Sequence, residues 1–81
     1  MWLSIKTKME NYKNLQAHDA KGDLTKTWYI SYYFLNPKTG EFQRFRESGD
    51  VNRIKNAKQR KEALHNYRLA KQILLENGWS P

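Results

Sequence analysis

Aromatic and aliphatic residues are concentrated from Thr27 to Leu35 and return in Phe42 and Phe45 after a turn, a strand-like pattern, and beyond Asn56 the apolar residues recur with the period of a helix. Thr27-Trp-Tyr-Ile-Ser-Tyr-Tyr-Phe-Leu35 is built from the aromatic and β-branched types that suit a pleated, half-buried surface. Between the two runs lies Asn36-Pro-Lys-Thr-Gly40. Pro37 fixes φ at about −65° to open a type I turn, keeps Asn36 extended, and leaves Gly40 where φ must become positive. A four-residue loop from Pro37 to Gly40 pairs Asn36 with Glu41. Counting outward then predicts Leu35 opposite Phe42, Phe34 opposite Gln43, Tyr33 opposite Arg44, Tyr32 opposite Phe45, Ser31 opposite Arg46 and Ile30 opposite Glu47. Trp28, Ile30, Tyr32, Phe34 and Phe45 fall on one face, and Tyr29, Ser31, Tyr33, Arg44 and Arg46 on the other. A slip of one residue would carry both arginines beneath Trp28 and Ile30, burying unpaired charge.

A hairpin alone is too small to be stable, and Lys13 to Ala17, with Leu15 and Ala17 sharing a face, supplies a third antiparallel strand. The polar stretch from His18 to Asp23, with Gly22 as its turn signal, connects it to the hairpin. Residues 1–12 read as a loosely ordered arm with Trp2, Leu3 and Ile5 as its only anchors. After Arg46, residues 47–50 are expected to turn and residues 51–55 to form an irregular basic connection. A helix then starts at Asn56, which caps it with Gln59 three residues on. Ala63, Leu64, Tyr67, Ala70 and Leu74, widened by Ile73, mark its buried face, with Arg60, Lys61, Arg68 and Gln72 toward the other side. Asn77-Gly78 ends it, and Trp79 is placed to cover the sheet. The expected fold is α+β: a three-stranded antiparallel sheet packed on one C-terminal helix (β-β-β-α), residues 13–81 forming the domain.

Composition narrows what such a domain can do. Eighty-one residues allow one small core, so three Trp, five Tyr and three Phe carry much of the burial. Fifteen Lys and Arg against eight Asp and Glu leave a formal charge of +7, which favours a polyanionic partner, although a basic surface can also be only solvated lysine. No cysteine is present, and His18 and His65 stand far apart, so neither a structural metal nor any other cofactor is expected. No run is apolar enough for a signal peptide or a bilayer span, and the chain is expected to be cytoplasmic with no membrane partner.

Two constellations carry candidate chemistry. On the sheet face of Tyr29, Ser31, Tyr33, Arg44 and Arg46, guanidinium groups suit the O6 and N7 of guanine in a DNA major groove that admits a β-ribbon. The competing reading is an exposed face whose arginines lie over tyrosine rings and keep it soluble. The run Asn52-Arg-Ile-Lys-Asn-Ala-Lys-Gln-Arg-Lys61, with Arg53, Lys55 and Lys58, offers phosphate contacts or a solvated helix face. Cations at a helix start oppose its dipole, which points to a cause other than helix stability. Paired carboxylates such as Asp19 with Asp23, or Glu41 with Glu47, are set in neither a Gly-rich loop nor a recognisable histidine-containing catalytic motif, so catalysis is not expected.

Trp28-Tyr-Ile-Ser-Tyr-Tyr33, Asn36-Pro-Lys-Thr-Gly40, Arg44-Phe-Arg46, Asn52-Arg-Ile-Lys55, Arg60 and the terminal Gly78-Trp-Ser-Pro81 together resemble the N-terminal arm-DNA-binding domain of tyrosine recombinases. The likeness is to phage-type and conjugative-transposon integrases of Bacteroides-like bacteria, and it covers about residues 13 to 81. It implies a three-stranded sheet backed by one helix and laid in the major groove of arm-type sites, supporting DNA integration and recombination. Double-stranded DNA and other integrase domains or subunits are the implied partners. The groove-facing positions correspond to Tyr29, Ser31, Tyr33, Arg44 and Arg46. The sequence ends at Pro81, before the core-binding and catalytic domains of that family, so no tyrosine here takes the nucleophile's role and the domain itself is not expected to be an enzyme. The alternatives are a protein-interaction module, in which the Tyr/Arg face docks an acidic partner or a neighbouring recombinase subunit, and RNA binding through stacked bases.

Overall fold

A computed structural model of the chain describes residues 11–81, so the expected arm anchors Trp2, Leu3 and Ile5 lie outside the described residues. Three strands, β1 (Tyr12–His18), β2 (Tyr29–Leu35) and β3 (Phe42–Glu47), precede one helix, α1 (Ala57–Glu76). The strands form an antiparallel sheet in the order β1-β2-β3, and α1 packs on one side of it, giving the α+β architecture expected from the sequence pattern.

The loop sets the hairpin register. Asn36 N–H donates to the Glu41 carbonyl and Gly40 N–H to the Asn36 carbonyl, both at 2.8 Å, with Gly40 at φ 76°. Every cross-strand pair from Leu35–Phe42 to Ile30–Glu47 follows as counted. Several strand boundaries differ from expectation, among them the end of β1, which runs past Ala17 to His18. β3 runs on through Glu47, in place of the expected turn, because Glu47 has partners beneath the helix. β2 begins at Tyr29, and Trp28 is held instead by Asn52, whose amide accepts from Trp28 N–H at 2.8 Å and donates to the Trp28 carbonyl at 2.9 Å. β1 begins at Tyr12, ahead of residue 13, and the Asn11 carbonyl accepts from Leu35 N–H at 2.7 Å.

β1 also carries a bulge that the sequence pattern does not indicate. Tyr12 opposes Phe34 and Lys13 opposes Tyr33, but the next pairs are Gln16–Ser31, Ala17–Ile30 and His18–Tyr29. Asn14 and Leu15 therefore share the place opposite Tyr32, with Asn14 at φ 56°. Leu15 keeps its expected place on the helix side, against the core.

Trp28, Ile30, Val51 and Leu64 form the centre of that core, and Tyr32 and Leu75 are also buried. Phe45 stacks on Tyr32 with ring centroids 5.6 Å apart but is only half-buried, less than its assignment to the core face implies. The helix departs furthest from expectation. Its buried residues are Arg60, Leu64, Lys71 and Leu75, with Ala63 and Tyr67 alongside, whereas Ala70, Ile73 and Leu74 are exposed. Two cations take core positions because polar groups distant in sequence receive them.

Arg60, 1% exposed, lies over the Trp28 ring. It donates through Nε to the Ile54 carbonyl at 2.8 Å and through Nη2 to the Asn52 carbonyl at 3.1 Å. Lys71 reaches Glu47 at 2.6 Å, and the Trp79 ring covers its ammonium at 3.8 Å. Glu47 also accepts from Tyr32 Oη at 2.6 Å and Tyr67 Oη at 3.1 Å. Burial pushes the Glu47 carboxyl up, but the hydrogen bonds from Lys71 and Tyr32, the Lys71 charge and the Tyr67 hydroxyl outweigh it and hold the group below the usual range. The same burial, with the Glu47 contacts, pushes both tyrosine hydroxyls up.

The helix ends are as the sequence indicates. Asn56 Oδ1 accepts from Gln59 N–H at 2.9 Å. At the other end Gly78 (φ 93°) donates to the Leu75 carbonyl and Trp79 N–H to the Leu74 carbonyl, a Schellman closure that turns Trp79 back over Lys71.

Candidate nucleic-acid interface

With α1 on one side, the other side of the sheet is open among the described residues, and the register arranges it in rows. Lys13, Tyr33 and Arg44 form one row; Gln16, Ser31 and Arg46 form the next; His18 and Tyr29 lie beyond, toward the start of β2. Leu35 and Phe42 close the face at the hairpin end, where Lys13 Nζ lies 4.3 Å from the Phe42 ring centre. None of these strand positions carries a carboxylate. Glu47, the acidic residue of β3, has the opposite parity and is engaged on the helix side.

Tyr29 is flanked from both neighbouring strands. The His18 ring stacks on it at 4.6 Å and 26°, and the Arg46 guanidinium lies 5.2 Å from its centre. His18 Nε2 is 2.8 Å from Ser31 Oγ. Ser31 is 4% exposed, so it forms the floor of the face, with its hydroxyl held beneath its neighbours. Arg44 and Arg46 are exposed and Tyr33 is half-buried; among the described residues neither arginine has an ion-pair partner. The five sheet residues named from sequence are thus on one face, with four presenting surface to solvent. Lys13, Gln16 and His18 belong to it as well. Gln16 is there by alternation with Leu15 and Ala17, and His18 because the strand runs one residue past Ala17, whereas Lys13 reaches this face only through the bulge at Asn14, which the sequence does not reveal.

The basic run divides. Arg53, in the short turn Val51–Arg53, lies 3.8 Å from Asp50 with both side chains well exposed. Lys55 and Lys58 are exposed, whereas Arg60 is sealed inside the domain and inaccessible to a ligand. Lys61 reaches Asp19 at 3.7 Å. Lys58 and Lys61 line an open groove together with Lys21, Gly22 and Trp28.

Among the described residues, no group of three or more His, Asp or Glu side chains could hold a metal ion, and no helix is long and apolar enough to cross a membrane. Comparison with protein-family models, curated proteins and solved structures finds no match.

Proposed function

We propose that this domain binds double-stranded DNA, with the open sheet face in the major groove, as the arm-binding module of an integrase of the tyrosine-recombinase type. The observation that carries the reading is the acid-free sheet face on which Arg44 and Arg46 stand exposed, with no ion-pair partner among the described residues. A solvated lysine coat leaves no such sorting of charge: here one pleat parity of β3 carries both arginines while the other turns Glu47 inward. Guanidinium groups on a ribbon that fits the groove can bond guanine O6 and N7 in pairs. Tyr33 and Tyr29 provide hydroxyls at the same level, Ser31 allows close approach, and Arg53, Lys55 and Lys58 are placed on phosphates. The integrase assignment rests on the order and spacing of the motifs from Trp28 to Pro81. Chemistry on the DNA would belong to other domains or subunits, and such a role places the domain in the cytoplasm.

Affinity selection of the 81-residue chain against a randomised duplex pool, followed by titration of the enriched sequence, tests this. Arg44→Ala and Arg46→Ala are each expected to weaken the enriched duplex by roughly 1 to 3 kcal/mol, with the far-ultraviolet circular dichroism unchanged. Failure to enrich any sequence, or full-strength binding by the double variant, would remove the sheet from the interface and leave docking of an acidic protein as the better reading.

A further inference from the structure

The four residues from Asp19 to Gly22 turn in an unusual way. Ala20, Lys21 and Gly22 all have positive φ, at 51°, 55° and 87°, a region that costs side-chain-bearing residues of order 1 kcal/mol each. Asp19 holds the turn: its side chain accepts from Lys21 N–H at 3.0 Å and its carbonyl from Gly22 N–H at 2.8 Å. The result throws Lys21 outward, where it borders two open grooves. One, lined by His18, Lys26, Thr27 and Tyr29, begins at the sheet face. The other, lined by Trp28, Lys58 and Lys61, ends at the first turn of α1. The grooves meet at Asp19 and Lys21. Lys21, Lys26, Lys58 and Lys61, all exposed, thus follow one edge of the domain, with Asp19 bordering both grooves and Asp23 close enough to Lys26 to feel its charge.

We infer that this edge is a track for the sugar-phosphate backbone of the DNA strand bordering the groove that receives the sheet. The inference rests on the reading of the sheet face given above and adds Lys21, Lys26 and Lys61 to the interface. Two features favour a phosphate chain over a solvated rim. The edge is continuous with the face that would enter the groove, so a backbone beside that groove passes over it. Cations also occupy the helix's first turns, with no acid in the first, against the dipole and at the end suited to anions.

The test measures binding of the full chain to random-sequence duplex of about two helical turns across a salt series. Lys21→Gln, Lys26→Gln and Lys58→Gln should each reduce the slope of log K against log salt by about 0.9 and weaken binding roughly fivefold to tenfold at about 0.1 M salt. Asp19→Asn, which keeps the side-chain acceptor of the turn while removing the charge and freeing Lys61, should tighten binding several-fold. Opposite signs from neighbouring positions are not what loss of structure produces. Slopes unchanged in the lysine variants, with Arg44→Ala still weakening the selected duplex, would overturn the track and leave the sheet reading intact. No duplex binding by the parent chain, or binding only to single-stranded RNA or phosphatidylserine vesicles, would overturn both.

Discussion

Glu47→Gln keeps the shape of the side chain at the centre of the polar cluster and removes its charge. Lys71, whose side chain is 8% exposed, would then be left without a counter-charge, facing a neutral amide. At 2.6 Å and an effective dielectric of about 20, the lost Coulomb attraction is about 6 kcal/mol. The retained hydrogen-bonding capacity of the amide and the 25% exposure of the Glu47 side chain reduce this, and breaking a buried pair from one side costs about 3 to 5 kcal/mol. A domain of this size has roughly 5 to 10 kcal/mol in all. Thermal denaturation followed by circular dichroism at pH 7 should show a fall in Tm of about 15 to 25 °C. Acid should have a related effect on the parent. The Glu47 carboxyl is held below its ordinary value in the folded state, so its contribution is present above the unfolded value and disappears as pH falls through the folded one. Lys71→Met should respond in the opposite sense. Without the ammonium, burial raises the carboxyl, so the variant should recover stability relative to the parent as pH falls toward 4 (about the ordinary Glu range). A Glu47→Gln protein melting within about 3 °C of the parent, a difference near 0.5 kcal/mol, would refute the cluster's role.

Arg60→Met should cost about 2 to 4 kcal/mol by urea denaturation, because it leaves the Ile54 and Asn52 carbonyls without donors, while the folded fraction should bind duplex as the parent does. Gly49→Ala should cost about 1 to 2 kcal/mol in the same assay, since φ is 54° there and the new Cβ would sit 3.3 Å from Tyr67 Cε1. Tyr32→Ala should cost about 3 to 5 kcal/mol of stability, whereas Tyr33→Ala, on the open face, should cost under about 1 kcal/mol and weaken duplex binding instead. Equal melts for those two variants would mean the faces are misassigned.

The hairpin is legible in the sequence because its determinants are local. Pro37 and Gly40 fix the loop, and parity then places the residues of both strands without any knowledge of the rest of the chain. Both helix ends are legible for the same reason. The helix's inner face is not, because hydrophobic periodicity assigns Arg60 to the solvent side and Ile73 and Leu74 to the core, and leaves Lys71 out of the core. The groups that reverse this are the Asn52 and Ile54 carbonyls and the Glu47 carboxylate, and nothing in the helix sequence names them. The expected core role of Ala70, Leu74 and Ile73 fails on that point. On the sheet face, alternation with Leu15 and Ala17 places Gln16, but Lys13 escapes notice because the extra residue in the strand is not visible in the sequence, and His18 because the strand runs one residue past Ala17. Parity puts Ser31 on the correct side, yet its burial beneath His18 depends on a contact between strands.

The bulge at Asn14 has a consequence for how this chain tolerates insertions and deletions. Because two residues of β1 share one place opposite Tyr32, the strand changes parity partway along its length. Removing Asn14 would restore a regular ladder with every side unchanged, Leu15 alone opposite Tyr32 and Lys13 still opposite Tyr33. Flattening the bulge with Asn14 still present would instead exchange the sides of everything N-terminal to it: Tyr12, whose hydroxyl reaches Glu76 at 3.1 Å on the helix side, would move to the open face, and Lys13 would be driven under the helix. The strand end therefore tolerates loss of this residue better than loss of its left-handed turn, and conformation at residue 14 is constrained more tightly than length.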